Sequence, residues 1–263
     1  MRPGSIIHQE VSDSGIAEVF QTDNHRTLYF GNSVKQSEMD LSHPETLTLA
    51  YTQTMMAALL FCIKPRSILL IGLGGGSLVR FLLHHFPDCR VDAVESRSDV
   101  VSLAYDYFLL PQDGRLHVTV GDGLEFLTAN HVADKQYELI LIDAFDHYGI
   151  ADSIKSIRFF SACHTALHPQ GVLAINLWAS QLDQYRYTLA NVESAFDHNL
   201  LNIPVKDRGN RIVFATHTPE IFSSFKTLKP VAELLEQKLA LPFGTYLRDI
   251  RRHNRWRGLS RLF

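Results

Sequence analysis

The chain has 263 residues, 46% of them hydrophobic and 20% charged, a profile that excludes disordered, collagen-like and coiled-coil proteins. Single cores seldom grow beyond roughly 250 to 300 residues, so the length suits one main globular unit with a small lobe. The formal charge is −3, yet the last 16 residues hold six arginines against one aspartate; the remaining body has 19 basic and 27 acidic residues, a charge of −8, which favours cationic ligands and disfavours nucleic acid.

Residues 16–21 and 27–30 are short β-prone runs around the turn-forming cluster Thr22, Asp23, Asn24 and His25, and they predict an N-terminal hairpin. Helical spacing follows over 45–63, and Pro65 separates it from what comes next. Beyond Pro65, strands are expected at 67–71, 90–94, 116–120, 137–142 and 171–177. Helices are expected at 77–86, 98–108, from Gly123, at 154–167 and at 182–196. Near-continuous apolar strands separated by helices predict a mostly parallel sheet covered on both faces, a doubly wound α/β domain. Residues 199–205 and 211–216, joined across Arg208-Gly209-Asn210, predict a closing antiparallel hairpin. From Val231 the chain reads as helical and then basic.

No segment approaches the roughly 20 apolar residues that cross a bilayer, so no membrane is expected; the best run, 55–63, suits a buried helix. Residues 1–10 carry Arg2 but neither an apolar core nor a cleavage site, so the expected location is cytoplasmic. Cys62, Cys89 and Cys163 lie far apart, with no CxxC pair and no His/Cys spacing for zinc, which predicts reduced, buried thiols and no metal.

The chemistry-bearing motifs fall at strand ends. Ile68-Leu-Leu-Ile-Gly72-Leu-Gly74-Gly75-Gly76-Ser77 is an apolar strand running into glycines and then a helix. Positions without side chains let the backbone and a helix N-terminus approach a ligand at the carboxyl end of the strand. Four glycines in five positions weaken a helix start unless something needs the space. Glu95 ends the next strand about 20 residues on, where nucleoside-binding folds use an acid to accept from ribose hydroxyls. Gly121-Asp122-Gly123 follows the third strand with a carboxylate suited to an adenine amino group, or to a plain turn. Both a dinucleotide and an adenosyl sulfonium fit these features; a Walker-type loop is excluded because no Gly-Lys-Ser/Thr follows the glycines. Asp143 and Asp146, in Leu141-Ile-Asp-Ala-Phe-Asp146, emerge at the end of the fourth strand. Such a pair can bind an ammonium ion and, with one member desolvated, take a proton from it, or serve as helix caps.

On these stretches, together with Gly171-Val-Leu-Ala-Ile-Asn176, the chain resembles the spermidine synthase family of polyamine aminopropyltransferases over most of residues 16–216. The resemblance implies a Rossmann-like, methyltransferase-type core after a small N-terminal β lobe. The corresponding division is an N-terminal lobe with its linking helix at 1–64, a nucleoside-binding catalytic domain at 65–245 and an arginine-rich tail at 246–263. It implies that Gly72, Gly74, Gly75, Gly76 and Gly123 shape the nucleoside site, that Glu95 holds the ribose and Asp122 the adenine. Asp143 would be the base or amine-orienting carboxylate, and Asp146 would help hold a diamine. Gln36 looks like the family's glutamine near the nucleoside, and Tyr51 like the tyrosine of its Tyr-His-Glu element. The implied co-substrate is decarboxylated S-adenosylmethionine, the implied partner an amine acceptor such as a polyamine, and the implied assembly a homodimer.

The chain also departs from the pattern. Gly75 stands where the family usually carries an aspartate that contacts the aminopropyl amine, Tyr-His-Glu becomes Tyr51-Thr52-Gln53, and His147 replaces the proline after the second acid. An aspartate at position 75 would attract an aminopropyl ammonium and repel the carboxylate of intact S-adenosylmethionine. Its absence admits an S-adenosylmethionine-dependent methyltransferase of unknown substrate as the alternative, and the missing histidine admits a non-catalytic nucleoside-binding homologue.

Overall fold

The computed structural model describes residues 2–129, 136–146, 149–150, 152–206, 209–223 and 225–254, with the backbone alone at 145–146, 149–150, 152, 223 and 225–226. His147, Arg208, the tail arginines from Arg255 onward and the side chain of Asp146 therefore lie outside the described residues.

The N-terminal lobe is a four-stranded antiparallel sheet rather than a hairpin, β1 (Ser5–Ser12), β2 (Gly15–Gln21), β3 (His25–Tyr29) and β4 (Lys35–Asp40), paired in sequence order. The expected hairpin is its β2–β3 centre. β4 reads as polar, yet alternation buries Ser37 and Met39 on one face, the period of two that a half-buried strand needs. Ala17, Val19, Leu28, Phe30 and Met39 form a small core of their own that extends onto a helix of the second domain.

The helix expected over 45–63 is much shorter. α1 (Ala50–Met55) runs into a 3₁₀ turn, Met56–Leu60, and residues 41–49 are not helical. Pro44 disfavours the helical conformation before it, and Thr46 and Thr48 are β-branched, so regular structure begins only past them. Met55 to Leu60 are all buried, so this run is an apolar plug under the sheet rather than an amphipathic helix.

The second domain continues with β5 (Ser67–Ile71), α2 (Ser77–His85), β6 (Arg90–Glu95), α3 (Ser98–Tyr107), β7 (Leu116–Val120), α4 (Gly123–Thr128) and β8 (Tyr137–Ile142). A two-residue pair follows, β9 (Phe145–Asp146) with β10 (Gly149–Ile150). Then come α5 (Ile157–Ala166), β11 (Leu167–Trp178), α6 (Leu182–Ala195), β12 (Leu200–Pro204) and β13 (Asn210–Ala215). α7 (Glu220–Ser223), α8 (Phe225–Leu239) and α9 (Phe243–His253) complete it. The seven strands run in the order β12-β13-β11-β8-β5-β6-β7, parallel except for the antiparallel β11–β13–β12 closure. Strand order reverses between β5 and β8, and a doubly wound sheet opens its ligand crevice at that point, beyond the carboxyl ends of those two strands.

One large core lies on the face covered by α2, α8 and α9, and a second on the face covered by α5 and α6. α9 buries Phe243, Tyr246, Leu247 and Ile250 and leaves Arg251 and Arg252 exposed, so the basic segment begins inside a packed amphipathic helix.

Candidate active site

The crevice is a cavity of about 550 Å³, lined by the ends of β5, β6, β7 and β8 and roofed by the N-terminal sheet. β5 and β8 are in register, with Ile71 opposite Ile142, so Gly72 and Asp143 leave the sheet side by side. Gly72 sits at φ +93°, and a Cβ there would collide with the carbonyl oxygen of Asp143. The glycine is required by that contact and by its left-handed backbone.

Asp143 is the most perturbed carboxyl of the site. Burial pushes it up to about 7, against hydrogen bonds from Asn176 and Tyr51 that favour its charged form, while the neighbouring Glu95 charge adds to the rise. Asn176 Nδ2 donates to Asp143 Oδ1 at 3.0 Å, and Asn210 Nδ2 donates to Asn176 Oδ1 at 2.9 Å, a relay that orients the carboxylate. The Tyr51 hydroxyl reaches both Asp143 and the Gln36 carbonyl oxygen, the latter at 3.0 Å. With one proton it donates to one of them at a time. Burial and then the Asp143 charge hold that phenol well above its usual range, so it stays neutral.

Glu95 is 9% exposed and faces the cavity. Its Oε2 accepts from the backbone N–H groups of Leu73 (3.0 Å) and Gly74 (3.3 Å), and its Oε1 from that of Arg97 (3.1 Å). The acid at the end of β6 therefore clamps the glycine loop as well as lining the cavity. Asp122 caps α4, its Oδ1 accepting from Leu124 N at 2.8 Å and Glu125 N at 3.1 Å. Burial pushes its pKa up, but the Ser153 hydroxyl and these two amides outweigh it and leave the carboxyl below its usual value. The turn-capping and ligand-facing readings of Asp122 hold together, since it also lines the cavity.

Gln36, Tyr51, Gly72, Gly74, Glu95, Asp122, Gly123 and Asp143 all line this one cavity. Gly75 and Gly76 stand behind it. A Cβ at Gly75 would meet Ser37 Oγ at 2.7 Å and the Phe108 ring at 3.0 Å, and one at Gly76 would meet Leu110 Cδ1 at 2.6 Å. Asp146 is placed only by its backbone, three residues beyond Asp143, opposite Gly149 in the β9–β10 pair.

Several site residues escape sequence reasoning. The β1–β2 turn brings Asp13, Ser14 and Gly15 to the rim, and Phe30 lines the wall with Arg97 stacked 4.7 Å from its ring centroid. Arg80, 6% exposed on α2, supports the glycine loop from below by donating to the carbonyl oxygens of Gly75, Phe108 and Pro44. Among the described residues it meets no carboxylate. Burial lowers its pKa to about 10, which still leaves it charged at neutral pH. Asn176 had a visible signal, a polar residue ending the apolar run Val172 to Ile175.

A doubly wound sheet with carboxylates at three strand ends around a crevice at the reversal point is the arrangement of a Rossmann-like α/β fold. Residues 48–205 match the family model described as spermine/spermidine synthase domain, and the chain belongs to that family. A polyamine aminopropyltransferase of Chromobacterium violaceum is 31% identical over 238 residues, 90% of each chain. Among solved structures, a probable spermidine synthase from Corynebacterium glutamicum shares the fold at 21% identity, with a TM-score of 0.67 over 83% of this chain and 81% of that one. Human methyltransferase-like protein 13, in complex with SAH, is 26% identical with a TM-score of 0.63, over 76% of this chain and 93% of that one. Among the described residues, no helix is long and apolar enough to cross a membrane.

Proposed function

We propose that this chain transfers the aminopropyl group of decarboxylated S-adenosylmethionine to an amine acceptor such as a polyamine. The observation that carries the reading is Asp143, desolvated at the β5–β8 crevice and oriented by Asn176 and Tyr51, in a chain 31% identical to a polyamine aminopropyltransferase over 90% of its length. The acidic cavity suits a sulfonium, and Gln36, whose Nε2 is buried without a hydrogen-bond partner among the described residues, offers a donor to a polar group of the nucleoside. In this reading Glu95 and Asp122 face the ribose and the adenine, with Gly72, Gly74 and Gly123 giving the nucleoside room. The acceptor nitrogen attacks the sulfur-bound carbon of the aminopropyl chain, the C–S pair returns to sulfur, and Asp143 takes the proton the nitrogen sheds. A carboxyl poised at about 7 holds a substantial ionised fraction at neutral pH while remaining a competent proton acceptor. Asp146, next along the same strand end, would hold the acceptor.

The test is release of methylthioadenosine from decarboxylated S-adenosylmethionine in the presence of amines, read by mass spectrometry. Turnover that Asp143→Asn abolishes supports the reading, and turnover that the variant keeps rejects Asp143 as base. Methyl transfer from intact S-adenosylmethionine is the second reading, favoured by Gly75 in place of a carboxylate and by the similarity to methyltransferase-like protein 13. A labelled methyl group appearing on an amine would select it. We further propose a homodimer in the cytoplasm, in keeping with the family and with three free thiols, Cys62, Cys89 and Cys163.

A further inference from the structure

Four described carboxylates line the cavity: Asp13, Glu95, Asp122 and Asp143. Three of them are engaged by the protein itself. Glu95 accepts from three backbone amides, Asp122 caps α4, and Asp143 is held by Asn176 and Tyr51. Asp13 is exposed at the rim, and among the described residues its carboxylate has no hydrogen bond and no ion pair. The β1–β2 turn that carries it is nevertheless fixed in place. Ser12 Oγ accepts from the Ser14 N–H at 3.3 Å and donates to Asp99 Oδ2 at 3.1 Å. Asp99, in the first turn of α3, is gripped by the Arg97 fork, Nε at 3.1 Å and Nη2 at 2.6 Å, in a pair whose side chains are only 8% and 11% exposed. Arg97 in turn stacks on Phe30, and both line the cavity. A buried ion pair thus ties the turn to the chain just past Glu95, and the turn holds a free carboxylate over the opening.

A charge that no internal partner offsets acts on whatever enters. Decarboxylated S-adenosylmethionine carries two positive charges, its sulfonium and its ammonium; the intact form carries a net single charge, because its carboxylate cancels one; methylthioadenosine is neutral. The glycine loop contributes no acid of its own, and the space beside Gly75 is filled by Ser37 and Phe108. We propose that Asp13, delivered from the N-terminal sheet, is the residue that selects the donor nucleoside by its positive charge. The inference rests on the transferase reading and says how that reaction's donor is chosen. Coulomb attraction reaches beyond contact distance, so Asp13 acts on entry and affinity of the cation without touching the reacting carbon. Its effect scales with the nucleoside's net charge and is screened by salt.

The three nucleosides decide it, titrated calorimetrically into the parent protein and into Asp13→Asn, which keeps the size of the side chain and removes its charge. At about 0.01 M salt the variant should bind decarboxylated S-adenosylmethionine roughly two- to fivefold more weakly, the range of an exposed ion pair. The loss should be smaller for the intact form and absent for methylthioadenosine. At about 1 M salt, where the screening length has fallen from about 30 Å to about 3 Å, parent and variant should coincide. Asp13→Glu, which restores the charge, should restore the preference. An equal loss for the neutral nucleoside would make Asp13 a prop of the turn and overturn the proposal. So would unchanged affinity for the decarboxylated donor, or a loss that salt does not remove. Methylthioadenosine release by the parent in the presence of amines is the separate readout. The charge ranking without release would sink the transferase reading and leave the role of Asp13 standing, whereas release with a ranking that Asp13→Asn does not alter would do the reverse.

Discussion

Asn176 holds Asp143 through a 3.0 Å hydrogen bond that crosses from β11 to the end of β8, and the same amide is itself held by Asn210 on β13. A donor to a carboxylate stabilises the charged form, so this bond works against the burial that raises Asp143. With Asp143 in its proposed role as base, which acts when ionised, activity should be present above about 7 and be lost as pH falls through that value. Asn176→Leu removes the donor, so Asp143 should rise further and the acidic limb of the kcat/KM profile should move to higher pH. A profile that stays in place would show that the bond does not reach the base.

Asp143→Asn should lower turnover by roughly 10²- to 10⁴-fold, the usual contribution of a positioned general base, with methylthioadenosine affinity nearly unchanged. The same variant should change stability with pH. A carboxyl raised on folding favours the folded state while it is protonated, and that contribution fades as pH rises through the folded value near 7. At pH 8 the asparagine variant should therefore melt above the parent protein, and at pH 4 the two should coincide. Thermal unfolding at the two pH values reads the difference directly.

Gly75→Asp introduces the acid that the family resemblance implies for this position, but the space is already taken by Ser37 and Phe108. The serine hydroxyl can rotate away; the buried ring of Phe108 cannot, so the substitution should cost about 1–3 kcal/mol of stability through overpacking. In the folded fraction the new charge should raise the ratio of affinities for the decarboxylated over the intact sulfonium. Calorimetry with both donors measures that ratio, and an unchanged ratio would remove position 75 from donor selection.

Gly72→Ala combines a left-handed backbone with a collision against the Asp143 carbonyl, so neither strand end can stay where it is. The expected outcome is a fall in melting temperature far larger than that of Gly121→Ala, whose Cβ would meet nothing within 4 Å among the described residues. Equal effects would mean that the β5–β8 junction relaxes freely.

The parallel strands are legible in the sequence because burial on both faces makes them continuous apolar runs, and the acids at their ends stand out against those runs. β4 is not legible: in Lys35–Asp40 only Ser37 and Met39 turn inward, and one apolar residue in six sets no pattern. The apolar stretch ending at Leu60 reads as helix because periodicity cannot distinguish a helix buried all round from a 3₁₀ plug. Glu95 and Asp143 are found from their strand ends alone. Arg80 is hidden because the carbonyls it serves, at Pro44, Gly75 and Phe108, come from three separate stretches of chain. For Gly75, the sequence shows only a missing side chain, and the ring that fills the space arrives from the end of α3.

The small core in which Ala17, Val19, Leu28 and Met39 meet Val100, Leu103 and Phe108 joins the N-terminal sheet to the rest of the protein beside the crevice, together with hydrogen bonds such as those of Ser37 with Ser77 and of Ser12 with Asp99. Gln36, Ser37 and Gly15 line the cavity from that sheet. Weakening the core at Leu103, a residue that does not line the cavity, would let the roof lift. Ligand affinity would then drop while the parallel sheet beneath kept its shape.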